Sequence, residues 1–294
     1  MHRKKFFSYK WFIHLFFIVY SLACVLPFLL IISISFTAED YVVNQGFSLL
    51  IHDFSTNAYT HIFRNPKKIL DAYWVTARFA VFGTVLSVAV MAMIGYALSR
   101  DGFIFKKPIN TMLVITMFFN GGLIPTYLVI TQVFNLGNTF WVYLTHGVVT
   151  AYIVFVFRTF FATIPKSLIE SAQLDGANEL QILTRITVPL SKPVLATFGF
   201  MGLLSRWNDY TVSMYYIQNT KLYTLQYMLQ QILNEAQFLA DLQKNMPHFD
   251  GVVNMPEETL KFAMCVVAAG PMMLVFPFFQ KYFAKGMVVG AVKG

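Results

Sequence analysis

The chain of 294 residues is 57% hydrophobic and only 12% charged, and its mean hydropathy is +0.58. Because soluble proteins carry about 25% charged residues, this composition excludes a soluble globular protein and indicates an integral membrane protein. The net charge of +8 does not by itself distinguish a nucleic-acid partner from a membrane orientation signal. The two cysteines, Cys24 and Cys265, lie in apolar runs and are expected to be small buried hydrophobic residues, not a disulfide or a metal site.

Six apolar runs follow one another along the chain, each at least as long as the ~20 residues that a helix needs to cross a bilayer. The third run is interrupted by Asn120-Gly121-Gly122, and Pro27 is expected to bend the first. We therefore predict an all-α integral membrane protein. Its six transmembrane helices are expected at 11–36, 73–98, 108–134, 139–161, 193–217 and 260–282.

Polar segments separate these spans. Short surface helices are expected near 56–63 and within 224–242. The predicted division of the chain is an N-terminal segment 1–10, the first span, a loop 37–71, a core 72–284 that contains the polar segments 164–190 and 218–259, and a tail 285–294.

The basic residues follow the topology that these spans imply. With the N-terminus in the cytoplasm, the inner segments hold fourteen Lys and Arg residues and the outer segments hold six. Positive residues favour the cytoplasmic side of a membrane, so both termini and residues 164–190 are predicted to be cytoplasmic. Loops 37–71 and 218–259 are then external. The net positive charge is explained by this orientation, and no nucleic-acid partner is expected.

The polar segment 164–190, which we call the hook, is predicted to fold into two short helices. Pro165 suits the first turn of a helix, where its missing N–H costs nothing. Gly176 offers a left-handed stop, and Asn178 can cap a second helix that runs to Pro189. Two short helices hinged at a glycine would form a compact protrusion on one face of the membrane.

The hook resembles the EAA loop of the membrane subunits of ABC importers, which reads Glu-Ala-Ala, three residues, Gly, nine residues, then Ile-x-Leu-Pro. Ser171 replaces the first alanine and Val188 the leucine, both conservative changes. The resemblance implies a type I ABC importer fold in which a coupling helix seats in a cytoplasmic ATPase subunit. The residues expected to make that coupling contact are Glu170, Ser171, Ala172, Asp175, Gly176, Ile186 and Pro189.

Three further motifs are similar to those of the carbohydrate-uptake group, and specifically to the smaller permease subunit of maltose importers. They are Trp207-Asn208-Asp209-Tyr210 in the fifth span, the C-terminal Gly290-Ala291-Val292-Lys293-Gly294, and Phe119-Asn120-Gly121-Gly122-Leu123-Ile124-Pro125. The last resembles the branch that imports oligosaccharides, including those that contain uronates. The second implies that Gly290, Ala291, Lys293 and Gly294 lie at the ATPase interface.

This resemblance also implies partners and a location. A second, homologous permease subunit would complete a heterodimer in the lipid of the bacterial cytoplasmic membrane, which each chain crosses several times. Two ATPase subunits would bind ATP and Mg, and an extracytoplasmic solute-binding protein would deliver the oligosaccharide. The chain itself has no G-x-x-x-x-G-K-[ST] loop, no catalytic set and no metal-ligand spacing, so we expect neither enzyme activity nor a bound cofactor.

Some polar and aromatic side chains in the spans have the chemistry that sugars need. They are Asn120, Tyr127, Trp207, Asn208, Asp209 and Tyr210. The alternative is that they brace helix packing, with Asp209 placed to pair with Arg206. In maltose importers the larger partner supplies most of the sugar contacts, which favours that alternative.

Three other functions remain open at this point. The importer could carry an amino acid, a peptide or a metal in place of a sugar, although the Trp207-Asn208 pair favours sugar. An ATP-independent secondary transporter would need no partner subunits. A membrane-embedded enzyme is disfavoured because Asp209 is the one acidic residue deep in a span.

Overall fold

The computed structural model describes residues 9–245 and 256–291, and within them the fold is helical, with a single isolated β-bridge between Thr37 and Phe54. The α-helices in chain order are α1 Tyr9–Ser35, α2 Glu39–Gln45, α3 Asn57–Ile62, α4 Pro66–Ser99, α5 Lys106–Phe118, α6 Leu123–Leu128, α7 Trp141–Thr145, α8 Ala151–Phe161, α9 Lys166–Leu174, α10 Glu179–Ile182, α11 Val188–Leu190, α12 Lys192–Trp207, α13 Thr211–Tyr216, α14 Leu225–Asn245 and α15 Glu257–Ala291. The π-helical turns Val129–Val133 and Leu183–Thr187 continue α6 and α10, and a 3-10 turn covers Thr220–Leu222.

The chain folds as two compact units. One contains the described residues up to Pro66 and those of Leu229–Pro271. The other contains Lys67–Met228 and the described part of Met272–Gly294. The hook belongs entirely to the second unit, and so do all the described residues for which the sequence predicts a functional contact.

The first unit is held together around the N-terminus of α15. The Glu39 carboxylate accepts hydrogen bonds from the backbone N–H groups of Glu258 (2.8 Å) and Thr259 (2.9 Å) and from the Thr259 hydroxyl (2.7 Å). Those N–H groups have no partner within the helix, so a carboxylate from elsewhere in the chain is a favourable cap. The Phe36 ring stacks on the Phe54 and Tyr59 rings and closes the loop that contains α3.

The core of the second unit lies where α4, α8 and the hook meet. Tyr96, Phe157 and Ile182 are buried there among other apolar side chains. Helices α4 and α8 approach so closely at Gly95 that a Cβ atom at that position would lie 2.8 Å from the Cβ of Phe157. The hook is therefore attached to a tightly packed pair of helices.

Three described helices are long and apolar enough to cross a membrane: residues 10–35, 66–99 and 257–280. Two bent pairs of shorter helices raise that number to five if each pair is one span. Leu123–Val133 is apolar but shorter. Six spans and two cytoplasmic termini therefore stay predictions, whereas the helical membrane fold is observed. Cys24 and Cys265, expected to be buried, are exposed at the protein surface, because apolar helices facing lipid need no protein cover.

Several predicted spans differ in detail from the helices that the structure contains. Residues 139–161 form two helices, α7 and α8, separated at Gly147, whose φ of +65° favours glycine. Residues 193–217 are likewise divided into α12 and α13. Helix α15 continues to Ala291, so residues 285–291 of the expected tail are helical. The break near Asn120, the helix near 56–63 and the helix within 224–242 are all present.

Candidate functional site: the hook and the polar seam behind it

The hook turns sharply away from the helices on both sides of it. Helix α9 is bent by 78° from α8, and residues 179–190 are bent by 83° from α12. Pro165 immediately precedes α9, and Gly176 has a φ of +79° with open space around it. The two helices of the hook thus run at a steep angle to α8 and α12, the helices that precede and follow it.

The second helix of the hook begins with a complete capping box. The Asn178 side chain accepts a hydrogen bond from the backbone N–H of Gln181, and the Gln181 side chain accepts one from the backbone N–H of Asn178, both at 2.9 Å. Two N–H groups that a helix leaves without partners are satisfied reciprocally. The hydrogen bonds that start this helix therefore come from within the hook.

One face of the hook is buried and the other is exposed. Ile169, Ile182 and Leu183 lie in the apolar core formed with α4 and α8. On the outer face Leu174 is 89% exposed and Leu180 65% exposed, although both are leucines. These two leucines lie on either side of Gly176 in the sequence and leave apolar side chains of the hook accessible.

The seven residues predicted to contact an ATPase divide between these two faces. Ala172 and Ile186 are half-buried and pack against the core. The other members of the set are exposed, namely Glu170, Ser171, Asp175, Gly176 and Pro189. Five of the seven are therefore accessible on the hook, and two are held against its core.

The hook is anchored to the end of α4 through Glu179. Its carboxylate accepts a short hydrogen bond from the Tyr96 hydroxyl, lies 3.4 Å from the Arg100 guanidinium, and accepts a hydrogen bond from Gln173 at 3.1 Å. Partial burial opposes ionisation of Glu179, but the Tyr96 hydrogen bond, the Arg100 charge and the Gln173 hydrogen bond outweigh it and lower the pKa of that carboxyl. The anchor is therefore charged at neutral pH.

A cavity of about 660 Å³ separates the hook from the turn after α4. Charged side chains line it, among them Arg100, Asp101, Lys166, Glu170 and Glu179. Lys166 forms an exposed ion pair with Asp101, which lowers the pKa of Asp101 and raises that of Lys166. Exposed pairs of this kind contribute little to stability, so Glu179 is the stronger connection.

The residues predicted for a substrate path do not form one constellation. Asn120 is exposed, and its Oδ1 accepts a hydrogen bond from the N–H of Gly122 at 2.9 Å. The Tyr127 ring stacks on the Tyr216 ring with centroids 5.6 Å apart. Trp207 is buried at the end of α12, its ring centroid 6.3 Å from that of Tyr73.

The remaining three members lie at the break between α12 and α13. The Asn208 amide bonds to Leu204 O and to the side chain of Gln226. Tyr210 is 43% exposed. The Asp209 carboxylate accepts hydrogen bonds from the Val212 N–H (2.9 Å) and the Thr211 hydroxyl (3.0 Å), so both of its oxygens are engaged by the first turn of α13, whose N-cap is Tyr210.

The expected ion pair between Asp209 and Arg206 is absent from the ion pairs of the described residues. Arg206 instead donates hydrogen bonds to two backbone carbonyls, those of Gly202 at 3.3 Å and of Gly147 at 3.5 Å. The correction has a local cause, because Asp209 completes the first turn of α13 and its oxygens are occupied there. Sequence proximity alone does not reveal that competition.

Arg206 lies in a polar contact between α4 and α12 that the sequence does not predict. A Cβ atom at Gly83 would lie 2.8 Å from Arg206 Nε, and one at Gly202 would lie 3.2 Å from Arg206 Nη1 and 3.6 Å from Thr84 Oγ1. We call this contact, formed by Gly83, Thr84, Gly147, Gly202 and Arg206, the arginine seam. Glycines inside an apolar run are a possible sequence signal for such close approach, but only the fold shows what approaches them.

The contact of the C-terminal residues with an ATPase and the absence of a metal site stay predictions. Of the C-terminal residues, Gly290 and Ala291 are the last of α15, and Lys293 and Gly294 lie outside the described residues. In the described part of the chain, no group of three His, Cys, Asp or Glu side chains is placed to hold a metal ion.

The chain was compared with known proteins. Residues 4–289 match the family model described as binding-protein-dependent transport system inner membrane component. The polygalacturonan/rhamnogalacturonan transport system permease protein YtcP of Bacillus subtilis (strain 168) is 36% identical over 282 residues, which cover 95% of this chain and 96% of YtcP. The arabinooligosaccharides transport system permease protein AraQ of the same organism is 26% identical, over 100% of this chain and 99% of AraQ.

A solved structure is similar over almost the whole fold. It is the crystal structure of a bacterial ABC transporter involved in the import of the acidic polysaccharide alginate, with a TM-score of 0.74 and 26% identity. The match covers 96% of this chain and 99% of the matched one. Sequence and fold therefore agree on one class of protein. This chain belongs to the binding-protein-dependent transport system inner membrane components, the multi-pass permease subunits of ABC importers in the cytoplasmic membrane.

Proposed function

We propose that the chain translocates an oligosaccharide, acidic ones included, into the cytoplasm. Its relative YtcP is named for polygalacturonan and rhamnogalacturonan, polymers that contain uronates, and its structural neighbour is involved in alginate import. Both names concern acidic polymers, and both proteins match this chain over nearly its full length. The motifs that resemble the carbohydrate-uptake group favour the same cargo over an amino acid, a peptide or a metal.

The assembly we propose contains this chain, a second homologous permease subunit, two ATPase subunits and an extracytoplasmic solute-binding protein. ATP and Mg would bind to the ATPase subunits, and this chain would hold no cofactor. Six spans with both termini in the cytoplasm would place the hook on the same side as the ATPases. The basic residues support this orientation, fourteen of them lying in the inner segments and six in the outer ones.

The observation that carries the proposal is the geometry of the hook. It is bent by about 80° from the helices at both of its ends, and its inner face is packed against α4 and α8. Force applied to its outer face would therefore be transmitted to two spanning helices. Glu170, Ser171, Asp175, Gly176 and Leu174 are exposed on the hook, so the motor would contact both charge and apolar surface.

The residues of the hook and of the C-terminal end would have different roles in this contact. The Glu170 carboxylate would pair with a basic group of the ATPase, and Leu174 would fill an apolar groove. Ala172 and Ile186 would act indirectly by keeping the two helices close to the core, and Pro189 would limit the second helix. Gly290, Ala291, Lys293 and Gly294 would reach the ATPase dimer from the C-terminal end.

Charge reversal at Glu170 tests the coupling role. The assembled transporter carrying Glu170→Arg should insert normally, yet its ATP-driven uptake of an acidic oligosaccharide should fall by about 30-fold or more, because reversing a charge at a buried ion pair costs at least about 2 kcal/mol. ATP hydrolysis should continue without uptake. Transport is measured in proteoliposomes, alongside hydrolysis of ATP by the same preparation.

Glu235→Arg is the matched control, since Glu235 is an exposed acid on α14 outside the hook. That variant should transport as the wild type does. Unchanged uptake by the Glu170→Arg complex would refute the coupling role. Uptake of labelled peptides in place of sugars by the wild-type complex would refute the cargo.

A further inference from the structure

Arg206 differs from the other arginines of the apolar helices in how it is satisfied. Arg158 donates a hydrogen bond to the Asn110 side chain at 3.1 Å. The Arg78 guanidinium lies over the rings of Trp74 and Phe140. Arg206 is half-buried and bonds only weakly to two backbone carbonyls, at distances longer than the usual 2.7–3.2 Å.

Placing a guanidinium in an apolar helix without a carboxylate partner costs free energy, and such a residue indicates a functional site. The acid nearest in sequence is Asp209, but Val212 and Thr211 already donate to both of its oxygens. No ion pair of Arg206 occurs among the described residues. The Asp209 charge acts on Arg206 without forming an ion pair with it, so an anion in direct contact with the guanidinium would satisfy this cation better.

Thr84 provides a second and independent sign of a missing ligand. It is 6% exposed, and its hydroxyl has no hydrogen-bond partner within residues 9–245 and 256–291. A buried hydroxyl without a partner costs about 1–3 kcal/mol. The hydroxyl and Arg206 Nη1 both lie within 3.6 Å of the position that a Cβ at Gly202 would occupy, so one small acceptor group could contact both.

The backbone next to Arg206 is irregular or lacks side chains at several positions. Gly147, which accepts from Arg206, lies in the unwound segment between α7 and α8 and has a φ of +65°. Irregular backbone at membrane depth is tolerated where it is buried in protein or lines a polar cavity. Gly83 on α4 and Gly202 on α12 leave room for the Arg206 side chain, which a Cβ at either position would crowd.

We propose that the arginine seam binds a carboxylate of the transported sugar, with Arg206 supplying charge and Thr84 a hydroxyl hydrogen bond. This inference rests on the proposed function and names the part of the substrate that the chain recognises. A uronate carboxylate is planar and accepts two parallel N–H bonds from a guanidinium, a geometry that an ammonium does not offer. The seam would thus select acidic sugars over neutral ones of equal size.

The test uses the complete transporter in proteoliposomes and two labelled probes, a trisaccharide of galacturonate and its fully methyl-esterified form. Arg206→Gln should lower uptake of the acid by about ten-fold or more, the value of one charge-assisted hydrogen bond. Uptake of the neutral ester should stay within about two-fold of wild type. Arg206→Lys keeps the charge and guards against misfolding, and should retain an intermediate rate on the acid.

Thr84→Val should lower acid uptake by a smaller factor and leave ester uptake unchanged. Arg78→Gln is the control for loss of an arginine from α4, and should leave the ratio of acid to ester uptake as in wild type. Equal losses on both probes in Arg206→Gln, or no loss on either, would overturn the inference while the oligosaccharide function stands. Failure of the wild-type complex to import either probe would refute the proposed function, and the inference with it.

Discussion

In the hook, the capping and anchoring side chains have partners within the hook or on the adjacent end of α4, although the buried Thr187 hydroxyl has none among the described residues. Asn178 and Gln181 cap each other, and Glu179 bonds to Tyr96 and Arg100. In the arginine seam, Arg206 bonds weakly to carbonyls and the Thr84 hydroxyl has no partner among the described residues. Both regions belong to the same compact unit and border the same two helices, α4 and α12.

The hook therefore has the features of a structural element, and the arginine seam has those of a ligand-binding site. A protrusion that transmits force has to be rigid, and satisfied hydrogen bonds with a packed inner face make it so. A binding site has to keep donors for its ligand, so it carries polar groups that folding leaves incompletely paired. Removing a paired polar group of the hook should therefore lower its stability, and removing the Thr84 hydroxyl should not.

Two threonines on α4 give the largest contrast. Thr76 is buried, donates to Ala72 O and accepts from the backbone N–H of Leu225, both at 2.8 Å, whereas Thr84 has no recorded partner in the described residues. Thr76→Val would leave a buried N–H unpaired and should lower the free energy of unfolding by about 2 kcal/mol. Thr84→Val removes an unsatisfied hydroxyl and should raise that free energy or leave it unchanged.

The comparison is made by thermal unfolding of the purified chain in detergent, with wild type and both variants in one preparation. A stabilised or unchanged Thr84→Val protein beside a destabilised Thr76→Val protein agrees with the distinction. Equal destabilisation by both substitutions would mean that the Thr84 hydroxyl is satisfied in the folded protein, and would weaken the seam as a ligand site.

The capping box of the hook gives an intermediate effect. Asn178→Ala removes the side chain that accepts from the Gln181 N–H and should cost about 1 kcal/mol of stability. Asn178→Ser preserves an acceptor at the cap and is the control. Melting temperatures of the two variants, measured in the same detergent, should separate. If alanine is tolerated as well as serine, the hook does not depend on its own cap.

The hook could be predicted from its sequence because its determinants are close neighbours along the chain. A proline before a helix, a glycine able to adopt positive φ at 176 and an asparagine at 178 are local signals. Gly176 has the predicted φ and Asn178 caps the second helix, whereas Pro165 lies at the N-cap of α9 and not in its first turn. Its attachment was not predicted. Glu179 meets Tyr96 and Arg100, which lie about 80 residues away in sequence, and no local pattern encodes that contact.

The contacts of the arginine seam were even harder to predict from the sequence. Arg206 and Asp209 are three residues apart, a spacing that favours an ion pair on a continuous helix. The helix ends at Trp207, and the Asp209 carboxylate bonds to the first turn of the next one, so the pair does not form. The break at Gly147 was missed for a related reason, since residues 139–161 are mostly apolar despite His146 and Arg158, and hydropathy does not reveal where the backbone unwinds.

The smallest expected effect concerns the charge of the Glu179 anchor. Burial raises the pKa of Glu179, but the Tyr96 hydrogen bond and the Arg100 charge lower it further, so its pKa in the folded protein lies below that in the unfolded chain. The anchor's contribution is therefore complete above the ordinary glutamate pKa and is lost as the pH falls through the folded value. Since the side chain is 56% exposed, solvent screening limits that contribution to less than about 1 kcal/mol.

Glu179→Gln should melt slightly below wild type at neutral pH, and the difference between the two melting temperatures should narrow towards about pH 4. A gap that widens on acidification would show that Glu179 is held in its protonated form, and the Arg100 pair could then not be what fastens the hook to α4.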